Sequence, residues 1–378
     1  MSSRERGRQV IDTFSIETAN KLATARPAAH ILSVATAVPP YIFEQTAVAI
    51  KVRDFFIDRF PQFDRVAGVF STSGIEKRHA VRPLEWHDIE PGWPERTAAY
   101  LEGALAIFID AAKKALDQAG LTGADVDTVV TVSSTGIATP TLEARAFDAL
   151  GFRRDVKRVP VFGLGCAGGV TGLSVAHRLA EAAPGSRVLL VAVECCTLSL
   201  RADELTKANI VAMALFGDGG AACVLSTNAR GSAVIGTISA SSERLWPGTL
   251  DIMGWTVDPQ GFGVIFDQSI PVFATEHLRG AVDEMLAEQS LTLKDITRVI
   301  SHPGGRKVVE AIEQSLDLPE LSLTAERDVL RDFGNMSAPT VLFVLEQVMA
   351  AKPSGRFMAL ALGPGFTLSS VTFESGSV

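Results

Sequence analysis

Leu121-Thr-Gly-Ala-Asp-Val-Asp-Thr-Val-Val-Thr-Val132 returns later in the chain as Leu291-Thr-Leu-Lys-Asp-Ile-Thr-Arg-Val-Ile-Ser-His302, an offset of 170 (291 − 121). Asp125 and Asp295, Val126 and Ile296, Val129 and Val299, and Val130 and Ile300 coincide. Each copy follows a helical pattern, at about 100–120 and 272–290, and runs into a short apolar strand. The register continues downstream. Phe162-Gly-Leu-Gly-Cys166 aligns with Asp332-Phe-Gly-Asn335, and each leads through a helix to a turn, Pro184-Gly-Ser-Arg187 and Pro353-Ser-Gly-Arg356. Apolar strands follow both turns, Val188–Val193 and Phe357–Leu362. A repeat of this length predicts two similar α/β halves related by a pseudo-twofold axis. Cys166 and Asn335 then begin equivalent helices, and His302 lies at a strand end close to both.

Working outward, 378 residues suggest two or three units. A chain this long buries roughly three quarters of its unfolded surface. With 47% hydrophobic and 21% charged residues the composition is that of a globular protein. A net charge of −8 argues against nucleic acid as a main partner. No apolar run approaches the roughly 18 residues of a membrane span. Arg4, Arg6 and Arg8 have no apolar segment behind them, so the start does not read as a secretory signal. Four cysteines without regular spacing form neither a disulfide framework nor a zinc site, and a reducing cytoplasm is expected. The expected division is an arm over 1–28 with a short helix at Ile16–Ala23, a first half over 29–232 and a second over 233–378. Segment 41–70 reads as partly helical, and segment 83–98, with Trp86, Pro91, Trp93 and Pro94, as an irregular excursion. Residues 233–270, with Gly254, Gly261 and Gly263, suggest strands and a hairpin near a cavity.

Cys166 lies in Val161-Phe-Gly-Leu-Gly-Cys-Ala-Gly-Gly169, where an apolar run ends in glycines and opens a helix. The free N–H groups and peptide dipoles of a helix start favour a thiolate, so a lowered thiol pKa is expected. The flanking glycines leave room for a substrate carbonyl. A nearby His302 would form an ion pair with that thiolate. Of the other cysteines, Cys195 and Cys196 form a vicinal pair at a strand end, and Cys223 reads as core. Asn335 fits a helix N-cap as well as an amide donor.

The set Gly165-Cys-Ala-Gly-Gly169, Ala214-Leu-Phe-Gly-Asp-Gly219, Ser301-His-Pro-Gly-Gly305, Gly334-Asn-Met-Ser337 and Leu362-Gly-Pro-Gly365 resembles the type III polyketide synthases, the chalcone-synthase-like branch of the thiolase superfamily. The resemblance runs from about residue 28 to the C-terminus. It implies a duplicated thiolase fold, two βαβαβαββ halves in five αβαβα layers. It implies catalysis by Cys166, His302 and Asn335, with no metal or redox cofactor and with acyl-CoA and malonyl-CoA as substrates of a homodimer. It implies that Phe216 gates the cavity, and that Thr139, Cys196, Ser199, Gly254, Ser337, Gly363, Pro364 and Gly365 shape it. Thr139 replaces the methionine of plant members, a residue that reaches across the dimer. The basic cluster that holds CoA in those enzymes is thinned here to Arg65 and the Glu76-Lys-Arg-His79 stretch, with Gly304 and Arg306 as further candidates to contact CoA. The form Ser-Thr-Gly-Ile-Ala-Thr-Pro140 looks like bacterial members that take long chains. A fatty acyl starter extended to an alkylpyrone or alkylresorcinol is therefore expected. The alternatives are a ketoacyl synthase acting once, and a non-condensing acyl-binding scaffold of the same fold.

Overall fold

The computed structural model describes residues 27–376 apart from Ser232. The expected helix at Ile16–Ala23 lies outside the described residues. The first half forms a sheet in the order His30–Ala37, Asp218–Ser226, Arg187–Cys195, Thr128–Val132, Lys157–Val161. The second repeats it as Gly236–Leu245, Thr367–Ser375, Gly355–Gly363, Arg298–Ser301. Directions repeat too. In each half the first three strands are antiparallel in turn, and the fourth runs parallel to the third. The two sheets touch edge to edge only where His30 pairs with Thr237 and Ile31 with Gly236.

The repeated sequence block gives a repeated local structure. Thr122 and Thr292 each open a short 3-10 turn, and Asp125 and Asp295 each accept from the threonine N–H and hydroxyl at 2.8–2.9 Å. That capping box satisfies the donors left free at the start of a turn and aims the next residues into the sheet. Val129, Val130, Val299 and Ile300 are buried there.

Three apolar clusters set the layers. Helix Gly168–Ala182 and helix Thr340–Ala350 share one cluster with the inner faces of both sheets, through Val170, Leu173, Val341 and Leu345. Helix Trp93–Ala119 covers the outer face of the first sheet, and helices Ile270–Ala287 and Arg306–Ser315 that of the second. The result is five αβαβα layers, as the resemblance implies. The close approach of the central helices rests on small residues. A Cβ on Gly169 would stand 2.2 Å from the Ala338 carbonyl oxygen.

Three details differ from the sequence reading. The first long helix starts at Trp93, inside the stretch read as irregular, because Pro94 sits in its first turn, where a missing N–H costs nothing, and Glu95 accepts from the Gly92 N–H. Gln45–Phe56 is the helix expected within 41–70, but Tyr41–Glu44 before it is a strand paired with Lys77–Ala80. The second half has no counterpart of the edge strand Lys157–Val161 among the described residues. By the offset of the repeat the equivalent stretch falls at about 326–331, inside helix Thr324–Phe333. The expected hairpin within 233–270 is present as Met253–Asp258 against Gly261–Phe266.

Candidate active site

Cys166 occupies a 3-10 turn, Gly165–Ala167, that leads directly into helix Gly168–Ala182. The turn is held on both sides. Ser134 Oγ accepts from the N–H groups of Gly163 and Gly165 at 3.1 and 3.2 Å. Gly165 has φ of +46°, and a Cβ there would lie 2.7 Å from Pro364 Cγ. Gly363 packs as closely on Ala167. The 363–365 turn therefore braces the cysteine from the second half, and both glycines are required by contact.

His302 follows strand Arg298–Ser301, and its N–H donates to the Leu360 carbonyl at 3.0 Å, which extends the parallel pairing by one residue. Both ring nitrogens are buried without a hydrogen-bond partner among the described residues. Asn335 is tied by its backbone to the end of helix Lys207–Leu215. Its N–H donates to Leu215 at 2.8 Å, and its carbonyl accepts from Gly217 at 3.0 Å. It precedes helix Thr340–Ala350 by five positions, so it does not begin that helix as Cys166 nearly begins its own. Its Nδ2 donates to the Gly304 carbonyl at 3.1 Å, and its Oδ1 accepts from the Ser337 N–H at 2.8 Å. That same Oδ1 is 4.0 Å from Cys166 Sγ.

Cys166, His302, Gly304 and Asn335 meet in one small pocket. The rest of its wall is apolar: Met253, Phe266, Ile270, Val308, Ile312, Leu360 and Leu362. Apart from Leu362, which opens the Gly-Pro-Gly turn, those wall residues were not singled out from the sequence. Val308 and Ile312, four apart on the inner face of one amphipathic helix, carried the only available signal.

Burial reverses the expected titration of the thiol. It pushes Cys166 up to about 11, despite hydrogen bonds to Ser337 and Asn335 that act the other way. It pushes His302 down to about 3. Desolvation outweighs the helix start, so the closed site holds a neutral thiol and a neutral imidazole. A proton passed from one to the other leaves the pair net neutral, which a dry pocket tolerates better than either charge alone.

The remaining expected residues fall around this centre. Ser337 is buried beside Cys166 in a left-handed conformation, φ +58°. Phe216 packs edge-on against Trp255 and Phe266, behind the pocket wall, and pairs through its backbone with Asn335. Cys196 is fully buried in the cluster around Phe216, and Ser199 donates to the Cys196 carbonyl at 2.7 Å. Gly254 lies in the hairpin next to the wall residue Met253, with open space where a Cβ would be. Thr139 is exposed on its own chain and takes no part in this pocket. Arg65 is exposed, and Arg306 is exposed and paired with Glu310 at 2.8 Å.

One group near the thiol went unremarked in the sequence. Glu194 is fully buried at the end of an apolar strand. It accepts from the Ser134 N–H at 2.9 Å and from the Thr135 hydroxyl at 2.7 Å. Burial still pushes it up to about 7. A carboxylate amid Val-Ala-Val-Glu-Cys-Cys was the available signal.

Sequence models of the chalcone and stilbene synthases match residues 16–229 for the N-terminal domain and 237–376 for the C-terminal domain. The chain belongs to the chalcone and stilbene synthase family. It is a type III polyketide synthase, a transferase that condenses CoA thioesters. The synthase is 38% identical to a 1,3,6,8-tetrahydroxynaphthalene synthase of Streptomyces peucetius subsp. caesius, over 89% of this chain and 90% of that one. It is 34% identical to a putative chalcone synthase of Bacillus subtilis (strain 168), over 92% and 98%. It is 30% identical to the alpha-pyrone synthesis polyketide synthase-like protein Pks18 of Mycobacterium tuberculosis, over 92% and 91%. Among solved structures, the 1,3,6,8-tetrahydroxynaphthalene synthase of Streptomyces coelicolor A3(2) superposes with a TM-score of 0.87 at 26% identity, over 92% of this chain and all of that one. The germicidin synthase of Streptomyces coelicolor gives 0.84 at 25%, with the same coverage. No described helix of the synthase is long and apolar enough to cross a membrane.

Proposed function

We propose that Cys166 accepts an acyl group from a CoA thioester and that His302 and Asn335 drive its extension by malonyl-CoA. The thiol passes its proton to His302 as Sγ attacks the thioester carbon, and the CoA thiolate leaves with that proton. Malonyl-CoA then loses CO2, and the electron pair of the broken C–C bond moves onto the thioester oxygen as an enolate. One Asn335 N–H is engaged by Gly304, which leaves the second, with a His302 N–H, to donate to that oxygen. The enolate carbon attacks the Cys166 thioester, the acyl–Sγ bond breaks to release the Cys166 thiolate, and the lengthened chain leaves on CoA, ready to reload. Each step uses side chains already in the pocket, and none calls for a metal or redox cofactor.

For the starter we favour a fatty acyl group, and for the product an alkylpyrone or alkylresorcinol. The observation that carries this choice is the wall of the Cys166 pocket, which is aliphatic and aromatic apart from the catalytic groups. The likeness to an alpha-pyrone synthesis protein agrees with it. A second reading, malonyl-CoA as both starter and extender with a tetrahydroxynaphthalene product, is favoured by the 38% identity to such an enzyme. Incubation with malonyl-CoA alone, and then with acyl-CoA starters of graded length, separates the two by product mass. A product from malonyl-CoA alone that no acyl-CoA diverts would overturn the fatty acyl assignment. A homodimer is part of the proposal. Thr139 and Ile137 are exposed on one loop, as expected of residues that meet a partner.

A further inference from the structure

A second, larger pocket shares no lining residue with the one at Cys166. It lies between helix Gln45–Phe56, the 3-10 turn Leu84–Ile89 and the loop after Ser199. Phe43, Val48, Val52, Leu84 and Met213 give it an apolar body. Its polar groups are unevenly matched. Asp203 is committed to Arg201, Glu90 faces Arg59, and Lys51 pairs with Asp88. Arg96 is held by the carbonyls of Pro91, Leu198 and Leu200.

Arg78 and His87 are different. Arg78 is fully buried and bonds only neutral acceptors, Gln45 Oε1 at 2.6 Å and the Phe216 carbonyl at 3.2 Å. Asp218 is near it but is occupied by the Val81 N–H and by the Thr197 N–H and hydroxyl. The Arg78 Nε and both ring nitrogens of His87 are buried with no partner among the described residues. Burial pushes Arg78 down to about 9 and His87 down to about 4. A buried guanidinium facing a cavity without a carboxylate on it is costly, and an anion would relieve that cost.

We propose that this pocket binds a long-chain carboxylic acid, separate from the acyl group on Cys166, with its chain in the apolar body and its carboxylate on Arg78 and His87. The site stands independently of which starter the enzyme takes. Arg78 also holds the carbonyl of Phe216, whose backbone pairs with Asn335, so occupancy has a short route to the catalytic amide.

Calorimetric titration of the full chain with dodecanoate tests this. One equivalent should bind, and dodecanol, which lacks the charge, should bind at least about tenfold more weakly. Val52→Trp, which fills the pocket, and His87→Phe, which keeps its shape but removes both nitrogens, should each weaken dodecanoate at least about tenfold. Val308→Trp, which fills the Cys166 pocket, should leave the affinity unchanged. Leu84→Trp fills the same space from another element should Val52→Trp fail to fold. The proposal is overturned if dodecanoate does not bind, if dodecanol binds as well, or if Val308→Trp abolishes binding that the pocket variants retain. Binding only after removal of residues 1–26 would assign the space to the chain itself and overturn it equally.

Discussion

Asn335 is spent in two directions, and that decides what its loss should do. Its Oδ1 faces Cys166 Sγ and Ser337, while its Nδ2 has one proton on Gly304 and one left for a substrate oxygen. Asn335→Ala should lower malonyl-CoA decarboxylation and chain extension by roughly 10²–10³, with acyl-enzyme still visible by intact-protein mass. Equal loss of loading and extension would contradict that division. His302→Ala should instead strike loading, because the thiol loses the imidazole that lines its pocket. In that variant, iodoacetamide alkylation of Cys166 at neutral pH should be slower than in wild type, because no neighbouring imidazole takes the proton that burial holds on the thiol. Superimposable alkylation profiles for variant and wild type would show that the two groups do not exchange a proton. These three residues were legible in the sequence because short motifs carry them and the repeat brings the motifs together. The direction of the Cys166 shift was not, because a helix start can be read from glycines, whereas desolvation depends on walls such as Leu360 and Ile312 that come from distant elements.

At the scale of elements, the two central helices set the site by how closely they pass. Gly169 has helical backbone, so only space forbids a side chain there, and a Cβ would collide with the Ala338 carbonyl. Gly169→Ala should therefore cost about 1–3 kcal/mol or more and lower the melting temperature. Gly68→Ala is the control, since nothing lies within 4 Å of a Cβ there. Similar melting temperatures for the two variants would mean that the helices can part without loss. The sequence announced these helices and the strands beside them through apolar runs and matched turns. It did not announce the start at Trp93, where a tryptophan and proline usually taken as loop residues form the first turn. Nor did it show the missing edge strand, since the repeat predicts symmetry and the equivalent positions lie in helix Thr324–Phe333 instead.

Across the whole molecule, four buried titrating groups work in opposed pairs. Glu194 and Asp218 are pushed up to about 7 and about 6. Their contribution is complete below the free carboxyl values near 4 and is lost as pH rises through the folded ones. His302 and His87 are pushed down to about 3 and about 4. Their contribution is complete above the free value of about 6.5 and is lost as pH falls. Between about pH 4 and 6.5 the two trends offset each other. Glu194→Gln removes one member of the first pair. The variant should therefore gain melting temperature relative to wild type as pH rises from about 5 to about 8. A difference that stays constant over that range would show that Glu194 is ionised in the fold throughout.

The narrow seam between the sheets has one more consequence. Cys166 comes from one half, and His302 and Asn335 from the other, while the halves share only two paired residues along their strands. In the connection between them, Asn228, Arg230 and Gly231 are exposed. A nick there would leave each fragment with its own sheet and neither with a reaction. Turnover would then become an assembly sensor: two silent polypeptides whose docking alone switches on product formation, with a rate that follows the product of their concentrations.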